Sequence, residues 1–186
     1  MVPWARRVRR LSGRPPASIA GELISEARIR RRVVSLAREI QRTSRGSDLT
    51  IVAILHGTVL FLADLVRHLT LPLKIDSVGI SSYRDSRHPN RLRFTKNLGL
   101  DIQNADVLLV DDILDTGQTL ATVVQHLRTL GPRRIRTCVF LDKPARRVHP
   151  VQADFIGFRV PDVFVVGYGM DHADRHRNLP FVGVLE

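Results

Sequence analysis

Asp111, Asp112 and Asp115 stand close together in the stretch VLLVDDILDTGQTL, and Gly117 follows them between two threonines. A glycine next to hydroxyl residues lets backbone N–H groups surround a phosphate, and the hydroxyls add further donors. Adjacent carboxylates suit the hydroxyls of a sugar and a metal ion, while the third carboxylate would lie nearer to the reacting carbon. The stretch therefore predicts a ligand that carries a phosphate, a ribose and a divalent metal.

Two other interpretations of this stretch fit it less well. It is not the common GxxxxGK[ST] phosphate-binding loop, because neither that spacing nor its lysine is present. Three acids could also merely cap a helix and solvate a turn, which would suit a shorter motif. The full order of apolar residues, paired aspartates, third aspartate, threonine and glycine favours a ligand site.

The flanking residues predict where this site lies in a fold. Residues 107–110 form an apolar run typical of a strand buried on both faces of a parallel sheet, although four residues alone do not exclude a helix. From 119 to 130 apolar residues recur at helical spacing, and Gly131-Pro132 ends the pattern. The acidic loop thus joins the carboxyl end of a strand to the amino end of a helix, where open α/β sheets bind ligands.

The rest of the chain continues this alternation of strands and helices. A helix is predicted to start at Ser25 with Glu26, and its apolar stripe comprises Ile29, Val33, Leu36, Ala37 and Ile40. Further strands are predicted at 49–55, 73–80, 106–110, 135–141 and 153–158, with a helix at 59–69. Residues 81–94 are polar, basic and rich in turn formers, and they predict a mobile lid. The pattern indicates an α/β domain with a parallel sheet and a small appended subdomain.

Length and composition fit one such domain. The chain has 186 residues with 44% hydrophobic content, enough for a single sizeable core, and no apolar run approaches the ~20 residues of a membrane span. Its one cysteine, Cys138, lies in an apolar stretch and is expected to be reduced and buried, which favours a reducing, cytoplasmic compartment. His172 and His176 have no third ligand nearby and predict solvated side chains rather than a metal site.

The net charge of +11 is unevenly distributed. The first residues are rich in arginine and carry no acid before Glu22. Residues 1–20 are predicted to be a mobile basic tail, and residues 21–186 the folded domain. A targeting presequence is the alternative for the tail, although a clear amphipathic period is lacking.

At this level of detail the sequence resembles a known family. VLLVDDILDTGQT is similar to the phosphoribosyl pyrophosphate signature of the type I phosphoribosyltransferases, and the chain from 23 to 184 resembles their hypoxanthine/guanine branch. Separate motifs carry the likeness: AILHGTVLFLADL, SSY at 81–83, LDKP at 141–144, DFIGFRVPDVFVVGYGMD at 154–171, and Arg177. The resemblance implies a type I phosphoribosyltransferase fold, with helices flanking a central, mostly parallel sheet and a small hood subdomain.

The resemblance also implies how the donor would be bound. Asp111 and Asp112 would hold the ribose hydroxyls directly or through Mg²⁺, and Asp115, near N7 of the purine, would be the catalytic base. The loop Leu55-His56-Gly57 would bind pyrophosphate and in this family often contains a non-proline cis peptide bond. The complete set of implied phosphoribosyl pyrophosphate-binding residues is Leu55, His56, Gly57, Asp111, Asp112, Asp115, Thr116, Gly117, Gln118, Thr119 and Arg177.

On the acceptor side, the resemblance implies a purine pocket formed by Lys143, Phe164, Val165 and Asp171. Lys143 would bond the 6-oxo group, Phe164 would stack on the ring, and Asp171 would join Asp111 and Asp112 as a metal-binding residue. Ser82 and Tyr83 would lie on the lid. Each position has a plainer alternative: Lys143 as a surface cation, Phe164 as core, and Asp171 with Arg177 as a surface ion pair.

The implied reaction is transfer of the 5-phosphoribosyl group from phosphoribosyl pyrophosphate to a 6-oxopurine, with Mg²⁺ as cofactor, in purine salvage. We expect a homodimer or homotetramer without membrane or nucleic-acid partners. A second hypothesis comes from another class, since some relatives with this signature are regulators that sense nucleotides and bind RNA or DNA, and a charge of +11 would serve that role.

Overall fold

The computed structural model describes residues 19–44, 48–85 and 88–186, and the side chains of residues 82–91 lie outside this description. The predicted basic tail lies outside the described residues as far as position 18. A strand begins at Ile19, so the last two residues assigned to the tail belong to the folded domain.

A six-stranded sheet in the order β4-β3-β2-β5-β6-β7 forms the centre of the fold. Its strands are β2 Leu49–Leu55, β3 Leu73–Asp85, β4 His88–Lys96, β5 Asp106–Leu114, β6 Arg134–Asp142 and β7 Phe155–Arg159. Neighbouring strands run parallel except for β3 and β4. The predicted α/β architecture with a mostly parallel sheet is confirmed.

Three α-helices in the described part of the chain cover the faces of this sheet: α1 Glu26–Thr43, α2 Val59–Arg67 and α3 Gln118–Thr129. Ser25 caps α1, because its side-chain oxygen accepts a hydrogen bond from the backbone N–H of Arg28. All five residues of the predicted apolar stripe of α1 are buried. Alternating residues of β2 divide the core, with Ile51 in a cluster with α1 and α2 and Val52 in a cluster with α3.

A second, three-stranded sheet, here called the hood, lies apart from the central one. It comprises β1 Ile19–Ile24, β8 Val165–Val166 and β9 Val182–Leu185 in the antiparallel order β1-β9-β8. The small appended subdomain is thereby confirmed. The contribution of β1 was not predicted, because its first residues had been assigned to the tail.

The described residues between 81 and 94 belong to two antiparallel strands, where the sequence had predicted a mobile lid without strands. The predicted strand ended at residue 80, whereas β3 continues to Asp85 and returns as β4. Backbone N–H and C=O groups form such a ladder without any apolar alternation, so the pattern of side chains did not reveal it. Ser82 and Tyr83 lie in β3 opposite Leu92 and Arg91 of β4, and their role in a lid stays a prediction.

Two expectations from composition can also be compared with the fold. Cys138 is buried in β6 as a free thiol, and burial raises its pKa well above the ordinary value. Among the helices described, none combines the length and apolar character needed to cross a membrane.

Candidate active site

The carboxyl ends of β2, β5 and β6 meet at one edge of the sheet and bring three loops together. β5 is longer than predicted, because Asp111 pairs with Val139 and Ile113 with Leu141 of β6. Asp111 and Asp112 therefore lie within the strand, and the loop proper begins at Asp115. β-strand pairing fixes the two acids more rigidly than a loop would.

The loop after β2 is packed tightly against this pair of acids. Leu55 and His56 are joined by a cis peptide bond, as the family resemblance implied. Gly57 follows, and a β-carbon there would collide with Oδ2 of Asp112, while one on Gly169 would collide with the carbonyl oxygen of Gly57. Only glycine allows this close approach of the β2 loop to the acids on one side and to the hood segment on the other.

Asp111, which is buried, and Asp112, which is half-buried, form an adjacent pair of carboxylates. The backbone N–H of Asp112 donates to Oδ1 of Asp111 at 3.0 Å, and that of Ile113 donates to Oδ1 of Asp112 at 2.9 Å. Burial raises the pKa of both carboxyls, and the charge of Asp112 raises that of Asp111 further. Neither acid forms an ion pair within the described ranges.

The predicted phosphate loop wraps around the start of α3. Gly117 has φ 87° and precedes the first helical residue, a conformation that favours glycine. The carbonyl oxygen of Thr116 accepts hydrogen bonds from the backbone N–H groups of Val148 at 3.0 Å and His149 at 2.9 Å. The loop is therefore held from behind, with Gln118 and Thr119 in the first turn of α3, where backbone N–H groups and the helix dipole favour an anion.

A pocket of about 380 Å³ lies beside this loop. Its lining residues are Asp112, Ile113, Asp115, Lys143, Arg146, Val163, Phe164, Val165, Met170 and Asp171. Six of them had been assigned to the donor or purine site from the sequence. The structure thus brings together residues that span positions 112 to 171.

The exposure of two pocket side chains disagrees with the plainer alternatives given for them. Lys143 is only 5% exposed, and its Nζ donates to the carbonyl oxygen of Val163 at 2.6 Å, so it is not a surface cation. Phe164 is 54% exposed, so it is not core; its ring meets His172 edge-on at 5.4 Å between centroids. Val165 is buried in β8. A wall of the pocket thus presents an aromatic face beside a buried ammonium group.

Asp171 and Arg177 form an ion pair, with Nη2 of Arg177 2.6 Å from Oδ1 of Asp171. This contact agrees with the plainer alternative, but the pair is half-buried and close to the site. Nη1 of Arg177 donates to the carbonyl oxygen of Gly169 at 2.8 Å. Burial raises the pKa of Asp112, and the positive charge of Arg177 offsets a small part of this increase. Arg177 therefore lies where it can influence the paired acids.

Two arginines beside the site, Arg146 and Arg147, were not identified from the sequence. Arg146 lines the pocket, and Arg147 donates from Nη1 to the carbonyl oxygen of Asp115 at 2.6 Å; the only available signal was their position directly after LDKP. His56, which the family resemblance assigned to the pyrophosphate loop, is exposed.

Across the residues described, no three His, Cys, Asp or Glu side chains gather into a metal cluster. Asp111 and Asp112 are the two carboxylates that lie side by side in the site.

Comparison with known proteins agrees with this geometry. The sequence model of the phosphoribosyl transferase domain matches residues 21–173. The chain is 42% identical over 164 residues to the hypoxanthine phosphoribosyltransferase of Salmonella typhimurium, covering 87% of this chain and 92% of that protein. It is 43% identical over 166 residues to the hypoxanthine-guanine phosphoribosyltransferase of Aquifex aeolicus, covering 88% and 93%.

A solved structure agrees equally well. The crystal structure of a hypoxanthine-guanine phosphoribosyltransferase from Bacillus anthracis superimposes with a TM-score of 0.87 at 36% identity, covering 91% of this chain and 100% of that one. The central parallel sheet with its hood is thus the type I phosphoribosyltransferase fold. From its sequence, its fold and the arrangement of its site, the chain belongs to the phosphoribosyl transferase domain family.

Proposed function

We propose that this protein transfers the 5-phosphoribosyl group of phosphoribosyl pyrophosphate to hypoxanthine or guanine, giving IMP or GMP and pyrophosphate, in purine salvage. The observation that carries the proposal is the pocket in which Lys143, Asp115 and the exposed ring of Phe164 meet beside the phosphate loop. An ammonium group suits a 6-oxo oxygen, an aromatic face suits a flat base, and a carboxylate suits the proton of a ring nitrogen.

The donor would occupy the neighbouring loops. The residues from Asp115 to Thr119 would surround its 5′-phosphate, with the amino end of α3 contributing favourable partial charge. His56, Gly57 and Arg177 would contact the pyrophosphate. Gly57 lets the loop after β2 lie close to Asp112. The two substrates would thus meet above Asp111 and Asp112.

The paired acids fit a divalent cation. They are adjacent, and burial raises the pKa of both carboxyls; a nearby cation would stabilise the charged forms that burial disfavours. Mg²⁺ prefers such hard oxygen ligands, so Asp111 and Asp112 would hold it, with Asp171 contributing toward a second ion. When bound, Mg²⁺ supplies positive charge for the leaving pyrophosphate.

The residues of the chain then perform separate tasks in the reaction. Lys143 and Phe164 orient the purine, so that its ring nitrogen faces carbon 1 of the ribose. Asp115 accepts the proton near N7 of the purine as the bond between the ring nitrogen and carbon 1 of the ribose forms and pyrophosphate leaves. His56 and Arg177 stabilise the charge that develops on pyrophosphate, while carboxylates face the cationic sugar. A closed β3–β4 hairpin carrying Ser82 and Tyr83 would exclude water, which would otherwise hydrolyse the donor.

The alternative of a nucleic-acid-binding regulator is not supported. The relatives that cover most of the chain are named as hypoxanthine or hypoxanthine-guanine phosphoribosyltransferases, and the residues needed for base recognition and proton transfer share one pocket. The proposal also includes a homodimer or homotetramer and a cytoplasmic location. The free, buried Cys138 supports the reducing compartment.

Replacement of Lys143 by glutamine tests the purine assignment. The ammonium group has only donors, so it can bond the carbonyl of hypoxanthine or guanine but meets another donor on adenine. An unpaired buried donor costs ~1–3 kcal/mol, so this contact alone should disfavour adenine by a factor of about 5 to 150. Lys143→Gln should weaken the use of hypoxanthine and narrow its advantage over adenine, because an amide offers a donor or an acceptor.

The measurement is kcat/KM for hypoxanthine, guanine and adenine with phosphoribosyl pyrophosphate and Mg²⁺. Lys74→Gln is the matched control, since Lys74 is exposed at the opposite end of the sheet, beside Thr50 of β2. The KM for phosphoribosyl pyrophosphate should stay the same in both variants. An unchanged ratio of hypoxanthine to adenine in Lys143→Gln would remove Lys143 from the base pocket.

A further inference from the structure

We propose that Arg146 is a positioning residue, which orients the carboxylate of Asp115 so that one of its oxygens faces the purine. The inference rests on the proposed role of Asp115 as the base. It assigns a task to a side chain that neither the sequence motifs nor the proposed reaction uses.

The contact between the two side chains is asymmetric. Nε of Arg146 lies 3.0 Å from Oδ1 of Asp115, yet the N–H does not point along that line, and Oδ1 is fully buried without a hydrogen bond. The contact is therefore an ion pair at short range rather than a directed hydrogen bond. The Asp115 side chain is 34% exposed, so Oδ2 is the carboxylate oxygen that can meet a ligand.

Arg146 also contacts Asp162, which precedes two residues that line the pocket. Its Nη1 lies 3.6 Å from Oδ1 of Asp162. Asp162 directly precedes Val163 and Phe164. The carbonyl oxygen of Val163 accepts the hydrogen bond from Nζ of Lys143. Arg146 thereby contacts both the proposed base and the residue that precedes the segment proposed to hold the purine.

The neighbouring arginine fixes the backbone beneath. Arg147 donates to the carbonyl oxygen of Asp115 and forms an ion pair with the buried Asp142. The main chain of Asp115 is thus already held. The remaining freedom lies in its two side-chain torsions, and the one that turns the carboxylate has a broad energy minimum. Arg146 is the charged group in contact with that carboxylate, so it is suited to restrict this rotation.

The side chain of Arg146 can be changed without disturbing the core. It is 48% exposed, whereas Arg147 is largely buried and its loss would leave Asp142 without its closest partner. Arg146→Gln is therefore the informative variant. Arg134→Gln is the matched control, because Arg134 has the same exposure and also pairs with an aspartate, Asp106, at the far end of the sheet.

Arg146→Gln should lower kcat by about tenfold, within the range of coupling between residues in contact, while the KM for phosphoribosyl pyrophosphate stays unchanged. Arg146→Lys should restore part of the loss, since it keeps the charge but not the planar fork. Asp115→Asn should lower kcat by more, and Arg146→Gln should have almost no further effect in that background. Arg134→Gln should keep wild-type kinetics, and thermal unfolding confirms that each variant is folded.

The double-mutant cycle separates the possible failures. If the wild type shows no turnover with any of the purines, the proposed function falls. If the wild type is active but Asp115→Asn keeps its full turnover, Asp115 is not the base, and this inference falls while the proposed function stands. If Asp115→Asn is slow but the loss from Arg146→Gln adds to it in full, Arg146 acts independently of Asp115, and only the inference is overturned. A rise in the purine KM at unchanged kcat would equally overturn it, because Arg146 would then contact the base itself.

Discussion

Strand β5 carries a buried aspartate near each end, and their surroundings differ. Asp106, at the amino end, is 2% exposed. Nε and Nη2 of Arg133 donate to its two oxygens at 2.9 and 2.8 Å, and Nη2 of Arg134 adds a third bond at 2.9 Å. Asp111, five residues on, is 4% exposed, and its Oδ1 accepts a hydrogen bond from the backbone N–H of the neighbouring Asp112.

The difference separates a structural carboxylate from one adapted to a ligand. A buried carboxylate is costly unless charge and hydrogen bonds compensate it. At the amino end of β5 the protein itself supplies the positive charge. At the carboxyl end, within the part of the fold described, no arginine or lysine pairs with Asp111 or Asp112, and the raised pKa of each acid records the lack of compensation. The compensation is expected to come from the substrate and its metal ion.

Asp111→Asn should produce the largest change in activity together with a gain in stability. A charge-assisted hydrogen bond contributes ~1.5–3 kcal/mol, so kcat/KM should fall on the order of 100-fold. The free protein should become more stable near neutral pH, because asparagine has no ionised form that burial and the charge of Asp112 would destabilise. Each pKa unit corresponds to about 1.4 kcal/mol.

The raised pKa of Asp111 also fixes the direction in which the stability of the protein changes with pH. The pKa of Asp111 is raised in the folded state, so the folded protein binds the proton more tightly than the unfolded chain does. The stability of the wild type should therefore decrease as the pH rises above the ordinary carboxyl value of about 4, and Asp111→Asn should lose part of this decrease. Urea unfolding without ligands measures it. A variant less stable than the wild type at neutral pH would contradict the proposed lack of compensation.

Asp106→Asn should have the opposite profile. Asparagine keeps the size but removes the charge that Arg133 and Arg134 share, so the free energy of unfolding should fall by about 1–3 kcal/mol, while kcat at moderate temperature stays at the wild-type value. Urea unfolding at constant m-value is the measurement. Arg134→Gln is the control, since Arg133 remains in place, and its loss should stay below about 1 kcal/mol. Reduced turnover with full stability in Asp106→Asn would show that the amino end of β5 also serves the reaction.

The two ends of β5 also show what the sequence could reveal. The acids of the site were predictable because they lie within one short motif, where an apolar run, two aspartates and a glycine follow in order. Five of the six strands of the central sheet and the three helices were predictable for a similar reason, since their periodicity is local. Lys143 and Phe164 were assigned through resemblance to the family, and the structure locates both in the pocket beside Asp115.

What could not be predicted depends on contacts between distant residues. Arg133 lies 27 positions from Asp106, and no pattern in the sequence marks the pair. Arg146 reaches Asp115 only because β6 and β5 are neighbours. The hairpin β3–β4 and strand β1 were missed because their pairing is made by the backbone and leaves no apolar alternation.

Asp76 offers the smallest but most selective test, because it is a compensated carboxylate on another strand. Nζ of Lys96 donates to its Oδ1 at 2.9 Å, and the backbone N–H groups of Gly99 and Leu100 donate to its Oδ2 at 2.6 and 2.9 Å. Desolvation alone would raise the pKa of Asp76, but these bonds outweigh it and hold the pKa far below the ordinary value. Asp76 thus anchors the segment after β4 to β3.

Asp76→Asn should therefore lower the free energy of unfolding by about 1 kcal/mol at neutral pH, with unchanged kinetics. The folded pKa is depressed, so the carboxylate stabilises the fold above its unfolded pKa of about 4 and loses this contribution as the pH falls below it. The deficit of the variant should accordingly shrink in urea unfolding at about pH 3, the reverse of the trend expected for Asp111→Asn. Asp101→Asn, an exposed acid that caps the nearby turn at Gln103, serves as the control. If Asp76→Asn and Asp111→Asn changed stability with the same sign at neutral pH, the distinction between compensated and ligand-dependent acids would not hold in this protein.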